Sequence, residues 1–168
     1  MELARNIIIR SQGGVVIPPT DDDIQQHVIK HQPSLDLLSD ISKEQTRRGE
    51  PKFVLIEGER NTGKSILAEL LTEVNKNTRL VSSENPNNDL IEKITLPPII
   101  SQGGHGSKTF IFDQPVDIAV ESLQEYLAEI RKENGIAILF VRKRFDLPSI
   151  ITGGMTHLTL TRDGLTRN

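Results

Sequence analysis

The chain has 168 residues, no cysteine and a formal net charge of −3. A chain of this length fits one domain with its own core, and without cysteine neither disulfides nor thiolate zinc sites can form. The mild acidity argues against wrapping of nucleic acid over the whole surface, although a local basic patch remains compatible with it. No apolar run approaches the roughly 20 residues that span a bilayer, so we expect a cytoplasmic protein with no membrane partner.

Residues 1–50 are predicted to form an N-terminal extension packed on the rest of the chain. The segment 6–17, NIIIRSQGGVVI, has two β-branched runs around a glycine-containing turn, which is typical of a hairpin. We expect a first helix to begin near Thr20 and to stop at Pro33. Ser34 should cap a second helix that ends before Gly49.

Two groups of polar residues in this extension have the composition of metal ligands. His27 and His31 are four residues apart on a predicted helix, but no third ligand and no adjacent glutamate accompany them. We therefore interpret both as surface histidines. The acidic run 21–23 is interpreted as charge that complements the positive end of a helix.

From residue 51 to residue 168 the pattern is that of a P-loop NTPase core. Unbroken apolar runs predict strands that are buried on both faces of a mainly parallel sheet. The predicted strands are 53–56, 79–82, 110–112, 136–141 and 157–161. Helical spacing predicts a helix over 66–74 and another over 116–130, in which Val116, Val120 and Leu123 face the core and Gly135 follows the end. Such alternation of strands and helices predicts an α/β fold with three layers.

The segment EGERNTGKS at 57–65 contains a phosphate-binding pattern. Gly58, Gly63, Lys64 and Ser65 fit G-x-x-x-x-G-K-[ST], which arises by chance in a chain of this length roughly once in 200. The match follows a predicted buried strand and opens a predicted helix, which is the context that a phosphate loop requires. The residues predicted to bind the nucleotide are Gly58, Glu59, Arg60, Asn61, Thr62, Gly63, Lys64, Ser65 and Ile66.

ATP and Mg²⁺ are the predicted cofactors. Lys64 should reach the β- and γ-phosphates, and the hydroxyl of Ser65 should bind Mg²⁺. Asp113 follows the strand TFIF and supplies the carboxylate that such a magnesium site needs. The next residue, Gln114, can position a water molecule but cannot act as a base.

A general base for hydrolysis is not evident from the motif. Three carboxylates are candidates that the sequence does not rank: Glu57, Glu84 and Asp117.

Three stretches, FVLIEGERNTGKSILAELL, TFIFDQPVD and AILFVRKRFDLPSI, resemble the helicase domain of Rep proteins from small circular single-stranded DNA viruses and plasmids. The resemblance covers residues 52–162. It implies a ring-forming AAA-like ATPase in which Gly58, Gly63, Lys64, Ser65 and Asp113 bind MgATP. It also implies a homo-oligomer that acts on nucleic acid, with DNA favoured over RNA. The sequence has no nuclease domain of the Rep type, since its one tyrosine, Tyr126, falls within a predicted helix.

The chain departs from that family after the predicted strand 136–141. Where the family places a polar sensor of the γ-phosphate, usually asparagine, this chain has Arg142, Lys143 and Arg144. These residues could contact nucleic-acid phosphates, reach the ATP of a neighbouring subunit or solvate the end of a strand. Arg142 is predicted, with Lys64, Asp113 and Gln114, to be catalytic.

A glycine-rich loop at 101–108 is a second candidate contact for a threaded strand. It carries His105 and Lys108 but no aromatic residue that would stack on a base. The alternative is an ordinary surface loop.

Three functions remain open on the sequence alone. The first is a helicase-like or packaging-type ATPase, or a regulatory relative of one. The second is a nucleotide or polynucleotide kinase, because IEG before the phosphate loop is also similar to thymidylate kinases and RKRFD could serve as a short lid. The third is an ATP-binding interaction module with little hydrolysis.

Overall fold

The computed structural model describes residues 20–74, 78–82 and 109–168. Their strands are β1 (Lys52–Glu57), β2 (Thr78–Ser82), β3 (Thr109–Asp113), β4 (Ile136–Val141), β5 (Thr156–Thr161) and β6 (Gly164–Arg167). Their α-helices are α1 (Asp21–Arg48), α2 (Lys64–Val74), α3 (Val120–Lys132) and α4 (Ser149–Thr152). Three predictions lie outside these residues: the hairpin at 6–17, the loop at 101–108 and the candidate base Glu84.

The strands form one sheet in the order β2-β3-β4-β1-β5-β6. The first five in this order are parallel, and β6 pairs antiparallel with β5. All five predicted strands are present and the mixed α/β class with a mainly parallel sheet is confirmed. The strand β6, which begins at Gly164 and pairs antiparallel with β5, was not predicted.

Apolar side chains cover both faces of the sheet, because successive residues of a strand point to opposite faces and the buried strands carry unbroken apolar runs. One face packs with α3 and α4 in a cluster that includes Leu55, Phe110, Phe112, Leu139 and Ile130. The other face packs with α1 and α2 in a cluster that includes Val54, Ile56, Phe140, Leu67 and Ile41. Since β1 lies at the centre of the sheet between β4 and β5, its carboxyl end has neighbours on both sides.

The helix α3 is shorter at its start than predicted. It begins at Val120, after a separate 3-10 turn at Pro115–Asp117. The predicted core position Val116 lies in that turn and is exposed, and Val120, the first residue of α3, is exposed as well, whereas Leu123 is fully buried. Spacing counted from Val116 fails because that residue and Leu123 do not share one continuous helix. The end of α3 is as predicted, with Gly135 N–H donating to the carbonyl of Ile130 at 2.8 Å.

The prediction of two helices before the phosphate loop is wrong, because α1 runs without interruption from Asp21 to Arg48. Pro33 lies inside it and removes only the hydrogen bond to the carbonyl of Ile29. Both residues are exposed, so water can reach that carbonyl. Ser34 is accordingly not a cap, and it is 2% exposed in the middle of the helix.

A buried stripe holds α1 together across the proline. Its members recur every three or four residues: His31, Ser34, Leu38, Ile41 and Gln45. Ser34 Oγ accepts a hydrogen bond from the N–H of Leu165 in β6 at 3.2 Å. Gln45 Nε2 donates to the carbonyl of Phe53 in β1 at 3.0 Å. These contacts with the sheet stabilise one long helix more than the lost bond at Pro33 destabilises it.

The boundary at residue 50 between an extension and a core stays a prediction. Within residues 20–74, 78–82 and 109–168, none of the helices combines the length and the apolarity that a membrane crossing requires.

Candidate functional site

The phosphate loop lies between the end of β1 at Glu57 and the start of α2 at Lys64. Gly58 is buried, and its N–H donates to the carbonyl of Val141 at the end of β4 at 3.0 Å. A Cβ on Gly58 would lie 2.9 Å from Thr62 Oγ1 and 3.2 Å from the carbonyl oxygen of Leu160. A contact under 3.0 Å is essentially never found for a real Cβ, so a larger residue at position 58 would require Thr62 and the neighbouring backbone to shift.

The middle of the loop is held by its own backbone and by one hydroxyl. Asn61 has a φ of 63° and Gly63 a φ of 93°, both in the left-handed region that asparagine and glycine tolerate best. Thr62 Oγ1 donates to the carbonyl of Glu59 at 2.7 Å. The hydroxyl of Thr62 therefore closes the loop on itself, which is a structural role beside the predicted one.

The side chain of Lys64 folds back over the loop from the start of α2. Its ammonium donates to the carbonyl of Gly58 and, at 3.3 Å, to that of Glu59. Burial lowers the pKa of Lys64, and the negative charge of Asp113 acts in the opposite direction. Ser65, in the first turn of α2, is exposed, and Ile66 is half-buried.

Asp113 lies at the carboxyl end of β3, two strands from β1. It is paired in register with Phe140 of β4, whose carbonyl accepts the N–H of Gln114 at 2.9 Å. Gln114 has a left-handed backbone with φ of 54°. That conformation costs a non-glycine residue about 1 kcal/mol, and such strain concentrates at functional sites. The strand order thus places Asp113 at the same carboxyl edge of the sheet as Lys64, and the charge of Asp113 acts to raise the pKa of that lysine.

Arg142 follows β4 directly and so emerges beside the phosphate loop. Its charge adds to the lowering of the pKa of Lys64, which means that the two cations of the same chain lie within electrostatic reach. Val141, the residue before it, accepts the hydrogen bond from Gly58. The structure therefore places Arg142 at the same edge of the sheet as Lys64 and Asp113.

The remainder of the segment after β4 is tied to the end of β1. Glu57 Oε2 accepts a hydrogen bond from the N–H of Arg144 at 2.5 Å. Asp146 Oδ2 accepts one from the N–H of Lys143 at 3.0 Å. Glu57, a candidate base, is thus engaged in joining two loops, while Asp117, the other described candidate, is exposed in the 3-10 turn after β3.

His31 is the residue at this site that sequence reasoning missed. It is 7% exposed, so its interpretation as a surface histidine is wrong. A Cβ on Gly63 would lie 3.9 Å from Cε1 of His31, which places the imidazole of α1 against the last glycine of the phosphate loop. The signal in the sequence is the buried stripe of α1, whose three-and-four spacing reaches back from Gln45 to His31. The side chain of His27 lies outside the described residues.

The residues at this edge fit a magnesium-bound triphosphate. Gly58 has no Cβ, which permits the tight path of the loop, and Lys64 supplies a cation. Ser65 and Asp113 supply the oxygen ligands that Mg²⁺ prefers. Helix α2 begins at the loop and directs its positive end toward it. Within the described parts of the chain, no group of three or more histidine, aspartate or glutamate residues could hold a metal ion by itself.

No protein-family model and no curated protein matches the chain. Among solved structures, PCH-2 of C. elegans matches with a TM-score of 0.45 and 10% identity, over 82% of this chain and 41% of that one. Hsp104, in a closed-state cryoEM reconstruction with ATPγS and FITC casein, matches with a TM-score of 0.45 and 14% identity, over 83% of this chain and 26% of that one. Both are AAA+ ATPases. The chain spans less than half the length of either protein.

Proposed function

We propose that the protein is a Mg²⁺-dependent P-loop ATPase of three-layer α/β fold. The observation that carries this proposal is the position of Lys64. Its ammonium donates hydrogen bonds to two carbonyls of the glycine loop at the start of α2. The negative charge of Asp113 in β3 acts to raise the pKa of the lysine. A half-buried cation beside a glycine loop and a carboxylate is the arrangement that binds a triphosphate with its metal ion.

The residues at the carboxyl edge of the sheet then take separate roles. Lys64 and the loop N–H groups bind the β- and γ-phosphates, while Ser65 and Asp113 hold the magnesium ion. Bound Mg²⁺ supplies neutralisation of the charge on the phosphate oxygens.

Two further residues act on the γ-phosphate and on the attacking water. Gln114 orients the water through its side-chain amide. Arg142 is assigned to the γ-phosphate of its own subunit, because it directly follows Val141, whose carbonyl accepts the N–H of Gly58 in the glycine loop. This assignment differs from an arginine that reaches the ATP of a neighbouring subunit.

The proposal includes assembly and a partner. We assign the protein to oligomeric ATPases that act on nucleic acid, with DNA favoured over RNA. The support is the run of cations after β4, where Arg142, Lys143 and Arg144 are all exposed. Exposed cations beside the nucleotide site can attract a polyanion such as nucleic acid, and its binding can then depend on whether ATP is bound.

A second candidate is an ATP-binding module with little hydrolysis, and the state of Glu57 favours it. The Glu57 carboxylate already accepts the N–H of Arg144 at 2.5 Å, and Gln114 stands where a carboxylate would serve as base. Such a protein would bind ATP tightly and release phosphate very slowly.

ATP turnover, measured with and without single-stranded DNA, double-stranded DNA and RNA, tests the proposal. We expect Mg²⁺-dependent phosphate release that a polynucleotide increases, and a larger mass in solution with a non-hydrolysable ATP analogue. Tight binding with negligible turnover under all conditions would favour the second candidate. Transfer of the γ-phosphate to a nucleotide or a 5′-hydroxyl would replace both by a kinase.

The role of Asp113 is tested by Asp113→Asn with Asp117→Asn as the matched control. We expect Asp113→Asn to remove the difference between ATP affinities measured with Mg²⁺ and with EDTA, because the metal loses its carboxylate ligand. Asp117→Asn should retain that difference. A Mg²⁺ effect that survives in Asp113→Asn would contradict the assignment of this carboxylate.

A further inference from the structure

An exposed aromatic residue lies in the segment that follows β4. Phe145 is 80% exposed, although phenylalanine is usually buried. The guanidinium of Arg144 lies over its ring, with 4.7 Å between Cζ and the ring centroid. Since the side chain remains so exposed with the cation on one face, its opposite face is open to solvent.

The backbone around this ring is fixed by hydrogen bonds to charged groups. Glu57 accepts the N–H of Arg144, and Asp146 accepts the N–H of Lys143. Charge-assisted bonds of this kind are stronger than those between neutral groups. Phe145 is therefore presented on an ordered turn, so binding a ligand there would cost little loss of backbone freedom.

The charges around the ring select the class of partner. Segment 142–146 carries three cations, Arg142, Lys143 and Arg144, against one carboxylate, Asp146, in a chain whose formal net charge is −3. A flat apolar ring among cations matches a ligand that offers flat apolar faces between anions. Single-stranded nucleic acid is that ligand, because its unpaired bases stack on aromatic side chains while cations contact its phosphates.

We propose that segment 142–146 binds single-stranded nucleic acid, with a base stacked on Phe145 and phosphates bound by the neighbouring cations. This inference rests on the proposed function for its choice of a nucleic-acid partner. It goes further by assigning the binding surface, by specifying a single-stranded ligand and by naming Phe145 as the residue on which a base stacks. A duplex is bound less tightly, because its base faces are covered by their neighbours. An acidic protein segment matches the cations but not the ring.

The test is a titration of fluorescently labelled oligothymidine, oligouridine and a DNA duplex with the full chain. Binding is measured by fluorescence anisotropy in the absence of ATP. We expect Phe145→Leu, which keeps an apolar side chain but loses the ring, to weaken single-strand binding about 10-fold. Phe145→Trp should retain or improve it. The matched control is Ile150→Ala, which removes another exposed apolar side chain, 67% exposed in α4, and should change binding less than twofold.

A salt series separates stacking from charge. Replacing Lys143, an exposed cation with no assigned role at the ATP site, by Gln should reduce the slope of log K against log salt by about 0.7, the value for one phosphate contact on a single strand. Phe145→Leu should leave the slope unchanged. The ratio of oligothymidine to oligouridine affinity distinguishes DNA from RNA within the proposal.

Several results would overturn the inference. They are no oligonucleotide binding by the unsubstituted protein, equal affinity for duplex and single strand, or unchanged binding by Phe145→Leu. Equal losses in Phe145→Leu and Ile150→Ala would indicate an apolar protein contact instead, and a mass that falls on Phe145→Leu would indicate a second copy of the chain. Because no nucleotide is present, a protein that never hydrolyses ATP can still pass this test.

Discussion

The phosphate loop and the segment after β4 follow adjacent parallel strands, yet they are built in opposite ways. Residues 58–63 are defined by backbone geometry, with a buried Gly58 that has no room for a Cβ and a Gly63 with positive φ. Segment 142–146 is defined by side chains, all of them exposed, with Phe145 and three cations at the surface. Glu57 joins the two through its hydrogen bond to Arg144.

The difference shows where sequence and packing each control this edge of the sheet. In the phosphate loop, packing permits few residues, so substitutions there should disturb stability and nucleotide binding together. In segment 142–146, by contrast, all five side chains are exposed. Substitutions there should change partner binding and leave the fold intact.

The largest effect is expected from Gly58→Ala. Its new Cβ would meet Thr62 Oγ1 at 2.9 Å and the Leu160 carbonyl at 3.2 Å, so Thr62, whose hydroxyl closes the loop, must shift. We expect ATP binding to be lost and the free energy of unfolding to fall by about 1–3 kcal/mol, as for other overpacked sites. Isothermal calorimetry and urea unfolding measure the two quantities.

Gly154→Ala is the matched control, because nothing lies within 4 Å of a Cβ there. It should change the free energy of unfolding by less than about 0.5 kcal/mol. If Gly58→Ala bound ATP as the control does, the loop would not hold phosphates in this conformation.

A smaller but still measurable effect is expected from His31→Ala. The imidazole is buried in α1 beside Gly63, so its removal leaves a gap under the phosphate loop. We expect the free energy of unfolding to fall by about 1–2 kcal/mol and ATP affinity to weaken with it. Lys30→Ala, at an exposed position one residue earlier, is the control and should alter neither.

ATP affinity separates two roles for His31. A loss of stability without any loss of ATP affinity would restrict His31 to holding α1 on the sheet.

Glu57→Gln tests the connection between the two regions. The amide oxygen can still accept the N–H of Arg144, but it carries no charge. We therefore expect the free energy of unfolding to fall by about 0.5–1.5 kcal/mol. If Glu57 only positions segment 142–146, ATP turnover should be retained while oligonucleotide affinity weakens. Turnover that disappears while ATP and oligonucleotide binding persist would instead identify Glu57 as the general base.

The smallest effect concerns pH. Burial lowers the pKa of Lys64 from its ordinary 10.5, so between its folded pKa and 10.5 the unfolded chain still holds a proton that the folded protein has released. Stability of the nucleotide-free protein should therefore rise with pH through this window. Lys64→Met should flatten the rise in urea-unfolding measurements.

Lys52 contributes to the same rise of stability with pH, because burial lowers its pKa as well. Part of the rise should therefore remain in Lys64→Met. The double substitution Lys64→Met and Lys52→Met should flatten the curve further than either single one. A rise that is undiminished in Lys64→Met would show that the ammonium of Lys64 is not disfavoured in the fold.

Local patterns predicted the five parallel strands, the position of the glycine loop between β1 and α2, and the end of α3. They failed where a residue's environment depends on distant partners. Pro33 indicated a stop, yet α1 continues because Ser34 and Gln45 bond to β6 and β1. Val116 indicated a core position, yet a separate 3-10 turn exposes it.

The candidate site could be located from local sequence, since the glycine spacing, Lys64, Ser65 and the strand-end Asp113 are each recognised from their neighbours in the chain. Three features are visible only in the folded chain: His31 packs on Gly63, Glu57 accepts the N–H of Arg144 at the end of β1, and Phe145 is exposed to solvent. The physical reason is that backbone patterns repeat over a few residues. Burial and hydrogen bonding at this edge depend on contacts between strands and helices that the sequence separates by tens of residues.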